Sequence, residues 1–278
     1  MDISKIRFGT SGNPPNFFKS KFGKDRKYAV EWINSTGLNA YEYLMTYGAR
    51  LQKDKADYLR KKAEELDVSL SVHGPYYVVL TSLDSKKLEN GRTELLRTLE
   101  KTEWLGSKKV VLHPGFHNNP NALKDFIKNL NLVTDSYSGK VKVLPETMGK
   151  KSQLGSLDEV LEISRVCGTV PCVDFGHLHA RDLGCLNNPE DFRKVLNKIE
   201  NTLGTKALKE LHCHFYPVEF TDKGEKTHRA VMEKDAYPKF KDFAPLIKEY
   251  NMNPTLISES MNSQDIGALE MQTILRKI

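Results

Sequence analysis

Short apolar runs alternate with longer stretches of helical character along the whole chain. Ile6-Arg7-Phe8-Gly9, Leu38 to Leu44, Ser69 to Val72, Lys109 to Leu112, Lys140 to Leu144, Pro171 to Asp174, Ala207 to Leu211 and Thr255 to Ile257 read as strands. Between them, Asp25 to Ile33 (closed by Gly37), Lys55 to Leu66, Arg92 to Leu105, Phe240 to Tyr250 and Asp265 to Arg276 read as helices. Helix openings stand at Asn119-Pro120 and Asn188-Pro189. Ser156 followed by Glu159, ahead of Val160-Leu161-Ile163, is a capping box. The rhythm is about eight β-then-α units of roughly 30 to 40 residues, which predicts a parallel sheet with crossover helices. Eight such units in ~250 residues are the size of a (β/α)8 TIM barrel, here one α/β domain over residues 1–278. A doubly wound open sheet is the alternative, but no G-x-G-x-x-G follows the first strand. The longest irregular stretch, Phe215 to Tyr237, is too long to be idle and predicts a functional loop.

The strand ends carry the candidate chemistry. Pro171-Cys172-Val173-Asp174-Phe175-Gly176-His177 is an apolar strand that ends in a carboxylate, with an imidazole three residues on. Five other runs close in the same way, at His73, His113, Glu146, His212 and Glu259. The eight histidines, His73, His113, His117, His177, His179, His212, His214 and His228, all fall at or just beyond a predicted strand end and none in a predicted helix. In a barrel these positions converge on the C-terminal mouth. Three acids pointing into a barrel mouth are costly to desolvate unless they meet a cation. Imidazole and carboxylate without a cysteine pair favour Zn²⁺ or Mn²⁺ over an iron–sulfur cluster.

Composition narrows the setting. The 278 residues are 39% hydrophobic and 28% charged, enough for a core. No run approaches the roughly 20 apolar residues of a membrane span, and Met1 to Gly12 has no apolar signal region. The four cysteines form no C-x-x-C pair, so a reducing cytoplasm is expected. The formal charge of +6 is compatible with a nucleic-acid substrate without being diagnostic of one.

Five motifs, Ser71-Val72-His73-Gly74-Pro75-Tyr76, Val111-Leu112-His113-Pro114-Gly115, Pro145-Glu146-Thr147-Met148-Gly149, Val173-Asp174-Phe175-Gly176-His177 and Ile257-Ser258-Glu259, resemble the endonuclease IV family in content and order. That resemblance implies a TIM barrel with two or three metal ions, usually zinc, which cuts double-stranded DNA 5′ to abasic sites and acts as a monomer. Carried over by residue, His73 and His113 look like ligands of one ion, with Glu146 bridging to a second as the central catalytic residue. Asp174, His212 and Glu259 complete the second site, and His177 and His228 belong to a third. Family members have an Asp-Arg-His run where this chain has Lys226-Thr227-His228, so Glu225 or His214 is the candidate substitute for the missing carboxylate. The run His212-Cys213-His214-Phe215 also departs from the family's His-Leu-Asn-Asp and leaves the strand-seven ligand open between His212 and His214. Arg50, Tyr76 and Tyr77 match family positions that touch DNA. A wedge at the gap left by an extruded nucleotide and a cation for phosphate are the roles implied.

Two other readings compete. A single-metal sugar isomerase or epimerase of the xylose-isomerase-like class needs two Glu, one Asp and one His. It leaves His73, His113, His177 and His228 without a task. A DNA-damage binder without catalysis is the third reading, motivated by Lys226.

Overall fold

The computed structural model describes residues 3–233 and 235–278. Its main sheet holds eight parallel strands: β1 (Arg7–Ser11), β2 (Ala40–Leu44), β3 (Ser69–His73), β4 (Lys109–Leu112), β5 (Lys142–Pro145), β6 (Cys172–Asp174), β7 (His212–Phe215) and, after a separate hairpin of β8 (Val218–Thr221) and β9 (Gly224–His228), β10 (Thr255–Ser258). The order β5-β4-β3-β2-β1-β10-β7-β6 brings the two edge strands, β5 and β6, face to face. A parallel bridge between Glu146 and Cys172 joins them. There the Thr147 N–H donates to Cys172 O at 3.1 Å and the Asp174 N–H to Thr147 Oγ1 at 2.8 Å. The result is the near-closed (β/α)8 barrel that the alternation predicts.

Helices cover the outer face of the sheet, so the strands are buried on both sides. Where the chain leaves β6 and β7, Phe175 and Phe215 turn outward and meet Phe192 and Phe243 from the helices Pro189–Leu203 and Phe240–Glu249. The Phe175–Phe243 centroids lie 4.6 Å apart and the Phe175–Phe215 centroids 5.7 Å apart. This aromatic cluster anchors the two strand ends that present Asp174 and His214. At Gly9, a Cβ would stand 2.0 Å from the Ala40 carbonyl oxygen, so the close approach of β1 to β2 requires glycine.

Several predicted boundaries give way to tertiary context. Ala207 to Leu211 is not a strand: Thr205–Lys209 is a short helix and β7 begins at His212. Its Ala, Leu and Lys favour a helix, whereas the following four residues pair with both β6 and β10. His177 and His179, expected in a loop, lie in the helix Phe175–Arg181. The Asp174 side chain starts that helix by accepting from the His177 N–H at 2.7 Å. The helix expected at Asn119-Pro120 opens at Ala122, because the Asn119 side chain instead accepts from the Asn121 N–H at 2.6 Å in a turn. The stretch Phe215 to Tyr237 is not wholly irregular, since it folds into the β8–β9 hairpin.

The Ser156–Glu159 capping box forms as expected. The Glu159 carboxylate accepts from the Gly155 and Ser156 N–H groups at 2.9 and 2.8 Å, and His117 Nε2 stands 3.1 Å away. Burial alone would raise its pKa, but these hydrogen bonds and the His117 charge hold it below the usual carboxylate range. A depressed folded-state pKa contributes stability above the unfolded value, lost as pH falls through the folded one. Glu159→Gln is therefore expected to cost about 1 kcal/mol near neutrality and to flatten the acid limb of the stability profile. Urea midpoints between pH 6 and pH 3 check this, and parallel profiles for the two proteins would refute it.

Candidate metal centre at the barrel mouth

Residues two apart on a strand face the same side. Ser71 and His73, Val111 and His113, Leu144 and Glu146, Cys172 and Asp174, and His212 and His214 are such pairs. Val111, Leu144 and Cys172 form a small buried cluster separate from the main core, a layer inside the ring. The second member of each pair stands one step nearer the C-terminal mouth. His73 and His113 line a cleft of about 340 Å³ whose wall also includes His177, Glu225, His228 and Glu259, while Glu146, Asp174 and His214 are fully buried behind it.

Glu146 is the hub of the cleft and is fully buried. Its Oε2 lies 3.4 Å from His73 Nε2 and 3.0 Å from His113 Nε2, yet makes an aligned hydrogen bond to neither. Its other oxygen, Oε1, lies 3.0 Å from His214 Nδ1. That same nitrogen is 3.7 Å from Asp174 Oδ2 and 3.6 Å from Glu259 Oε1. A third group forms where the hairpin folds over the mouth: Glu225 reaches His177 Nε2 at 3.3 Å and His228 Nε2 at 3.2 Å. Tyr216 stacks on His228 with centroids 3.9 Å apart. A Cβ at Gly149 would come within 2.8 Å of the His177 ring and 2.7 Å of Glu225, so glycine there makes room for this group.

The donor set fits divalent ions. Donor atoms around one tetrahedral zinc, each at ~2.0–2.1 Å, stand about 3.3 Å from one another. The Glu146–His73, Glu146–His113, Glu225–His177 and Glu225–His228 separations all fall close to that edge. Glu146 Oε2 and Asp174 Oδ2 are buried without a hydrogen-bond partner among the described residues, which is costly for a carboxylate unless a cation meets it. The histidine tautomers are also set. Nδ1 of His73 faces Gly74 O at 3.0 Å, that of His177 faces Thr147 O at 2.8 Å, and that of His228 faces Glu259 O at 3.1 Å. In each case a proton held on Nδ1 by the carbonyl leaves the Nε2 lone pair toward the cleft, the arrangement that metal-ligating histidines use.

The electrostatics agree. Burial would raise the pKa of Glu146, but the charges of His113 and His214, with the hydrogen bond from His214, hold it well below the carboxylate range. Burial opposes protonation of His73 and His177. The close Glu146 carboxylate nevertheless pushes His73 up to about 9, and Asp174 and Glu225 push His177 up to about 10. Such imidazoles hold protons that a bound cation displaces, so ion affinity falls with acidity.

The structure brings His73, His113, Glu146, Asp174, His177, His228 and Glu259 together, with both substitute candidates, Glu225 and His214. It does not bring His212 to them. His212 lies a layer deeper, where its Nε2 donates to Glu42 at 3.0 Å and burial lowers its pKa to about 4. Tyr76 packs against His73 and His113 with centroids 5.2 and 5.0 Å apart. Tyr77 and Arg50 are exposed on the neighbouring loops, as is Tyr47. The sequence reading missed Glu42 altogether. Its one signal was an acid in the middle of an apolar strand, Ala40-Tyr41-Glu42-Tyr43-Leu44.

A family profile described as "Xylose isomerase-like TIM barrel" matches residues 30–277. The chain belongs to the xylose isomerase-like TIM barrel family. An uncharacterized protein of Methanocaldococcus jannaschii is 30% identical over 91% of this chain and 91% of its own length. A protein named probable endonuclease 4 from Oceanobacillus iheyensis is 33% identical over 56% of this chain and 59% of its own length. The match therefore spans less than two thirds of that relative. Among solved structures, endonuclease IV from Thermus thermophilus superposes with a TM-score of 0.71 at 18% identity, covering 91% of this chain and 94% of that one. A D-tagatose 3-epimerase-like protein superposes with a TM-score of 0.68, also at 18% identity, covering 98% and 97%. At such identities the two superpositions show the shared barrel.

Proposed function

We propose that the chain is a DNA-repair endonuclease that hydrolyses the phosphodiester 5′ to an abasic site, leaving a 3′-hydroxyl and a 5′-deoxyribose phosphate. Two or three divalent ions, zinc or manganese, would be held at the barrel mouth. His73, His113 and Glu146 would hold the first, Glu146, Asp174, His214 and Glu259 the second, and His177, Glu225 and His228 the third. The observation that carries this reading is the Glu146 carboxylate. One oxygen faces two imidazoles and the other faces a third imidazole beside two more acids. A carboxylate placed so would supply donors to two ions, and a single-ion sugar epimerase has no use for the second set. The endonuclease 4 relatives support the nuclease reading from sequence.

Bound divalent ions supply Lewis-acid polarisation of a phosphate and acidify water toward neutrality. The chain supplies the rest. Glu146 fixes the spacing between the imidazole groups. Tyr76, half-exposed against His73 and His113, offers an aromatic face to fill the gap of an extruded nucleotide. Lys150 on the cleft wall and the exposed Arg50 offer cations to the phosphates. An abasic nucleotide has no base to unstack, so its extrusion into the cleft costs little. Among the described residues no helix is long and apolar enough to cross a membrane. All four cysteines are unpaired, which suits a reducing compartment. The working form in this reading is a monomer on duplex DNA in the cytoplasm.

The test is incision of a duplex with one abasic analogue by ion-loaded, chelated and zinc-restored protein. Cleavage on the 5′ side that vanishes on chelation and returns with zinc is the expected result. Equal cleavage in the loaded and chelated samples, or binding without turnover under every metal tried, overturns the proposal. Ketohexose epimerisation by protein holding one ion per chain supports the rival.

A further inference from the structure

TIM-barrel interiors are layers of branched apolar side chains, and a bare buried acid in one is costly. Glu42 breaks that rule. It is fully buried on β2, in register with Ser71 on β3, one layer below the cleft. Three groups converge on it. Ser71 Oγ donates to Oε2 at 2.8 Å, and His212 Nε2 donates to the same oxygen at 3.0 Å. His214 Nε2 stands 2.9 Å from the other oxygen, Oε1, off the axis of an aligned hydrogen bond. An imidazole nitrogen and a carboxylate oxygen this close in a dry interior either share a proton or repel each other.

His214 is the odd member among the imidazoles of the cleft. His73, His177 and His228 each turn Nδ1 to a backbone carbonyl and Nε2 to a cleft acid, although His177 Nδ1 also lies 3.1 Å from Asp174 Oδ2. His214 turns the other way, with Nδ1 to Glu146, Asp174 and Glu259. Its Nε2 points to Glu42 on β2. Among the described residues the carboxylate in contact with it is Glu42, and the Cys172 thiol lies close to the same ring.

We infer that Glu42 is the positioning residue for His214. Its carboxylate holds the proton on Nε2, which keeps the Nδ1 lone pair directed at the second ion, and Ser71 and His212 hold Glu42 in place. An outer carboxylate behind a ligating histidine fixes ring orientation and tautomer and makes the ligand more basic. This inference rests on the reading of His214 as an ion ligand. It adds an interior group outside the cleft on which that ligand depends.

The test compares wild type, Glu42→Gln, Glu42→Ala and His214→Ala. Ions retained are counted against a graded zinc chelator, and imidazole ¹⁵N shifts are recorded on the zinc-loaded proteins. Circular dichroism melts of the ion-free forms establish folding, and the near-isosteric Gln variant keeps the test open if the Ala variant does not fold. Removing such partners weakens binding about 10- to 100-fold, so both Glu42 variants are expected to release one ion at that much lower chelator strength, short of the loss in His214→Ala. His214 Nε2 is expected to be fully protonated in wild type and mixed in Glu42→Gln. Unchanged ion retention and tautomer overturn the inference. So does a loss as large as that of His214→Ala, which would make Glu42 a ligand itself. Wild-type protein that never holds a second ion defeats the endonuclease reading instead, and the two failures are thereby told apart.

Discussion

Glu146→Gln is expected to abolish incision of abasic duplex, by about 10³-fold or more if each ion contributes several kcal/mol to the reaction. Oε2 serves His73 and His113, and Oε1 serves His214 beside Asp174 and Glu259. A neutral amide of the same shape cannot present an anionic oxygen to both sides. Two ions should be lost together, while the one assigned to His177, Glu225 and His228 is retained, because Glu225 supplies its carboxylate. Elemental analysis of dialysed protein should thus fall to about one ion per chain, and added zinc should not restore cleavage. Loss of a single ion, or incision at the wild-type rate, would remove the bridging role of Glu146.

What could be read in the sequence, and what could not, divides on physical grounds. The barrel and most of the cleft were legible because apolar runs ending in His, Asp or Glu are local patterns, and the barrel topology gathers every strand end at one mouth. The start of β7 was not legible. Ala207, Leu208 and Lys209 are good helix formers, and only pairing with β6 and β10 makes a strand of His212–Phe215. That shift decides which of two histidines reaches the acids. Glu225 was visible as a candidate, but only the hairpin shows that it closes on His177 and His228 at once. Glu42 was hidden for a different reason. In Ala40-Tyr41-Glu42-Tyr43-Leu44 the alternation reads as aromatic inside and polar toward water. In the barrel the covering helices take the tyrosine face, and the acid points into the ring.

The paired substitutions His214→Ala and His212→Ala separate two neighbours that the sequence leaves equivalent. His214 Nδ1 lies among Glu146, Asp174 and Glu259, so its removal should release the second ion and slow incision about 10³-fold, through loss of the charge stabilisation that ion provides. His212 makes its hydrogen bond to Glu42 and stands among the buried residues beneath the cleft. Truncating it strips a partner from a buried acid, and breaking such a pair costs about 3–5 kcal/mol of stability. The ion count without added chelator should nonetheless stay close to that of wild type wherever the variant is folded, because Ser71 still holds Glu42 and no cleft carboxylate among the described residues touches His212. The expected pattern is therefore crossed. His214→Ala alters ion content more than the melting midpoint of the ion-free protein, and His212→Ala does the reverse. If His212→Ala loses an ion while His214→Ala keeps all of them, the side chain that completes the second centre is His212, and the register of β7 at the mouth differs from the one described.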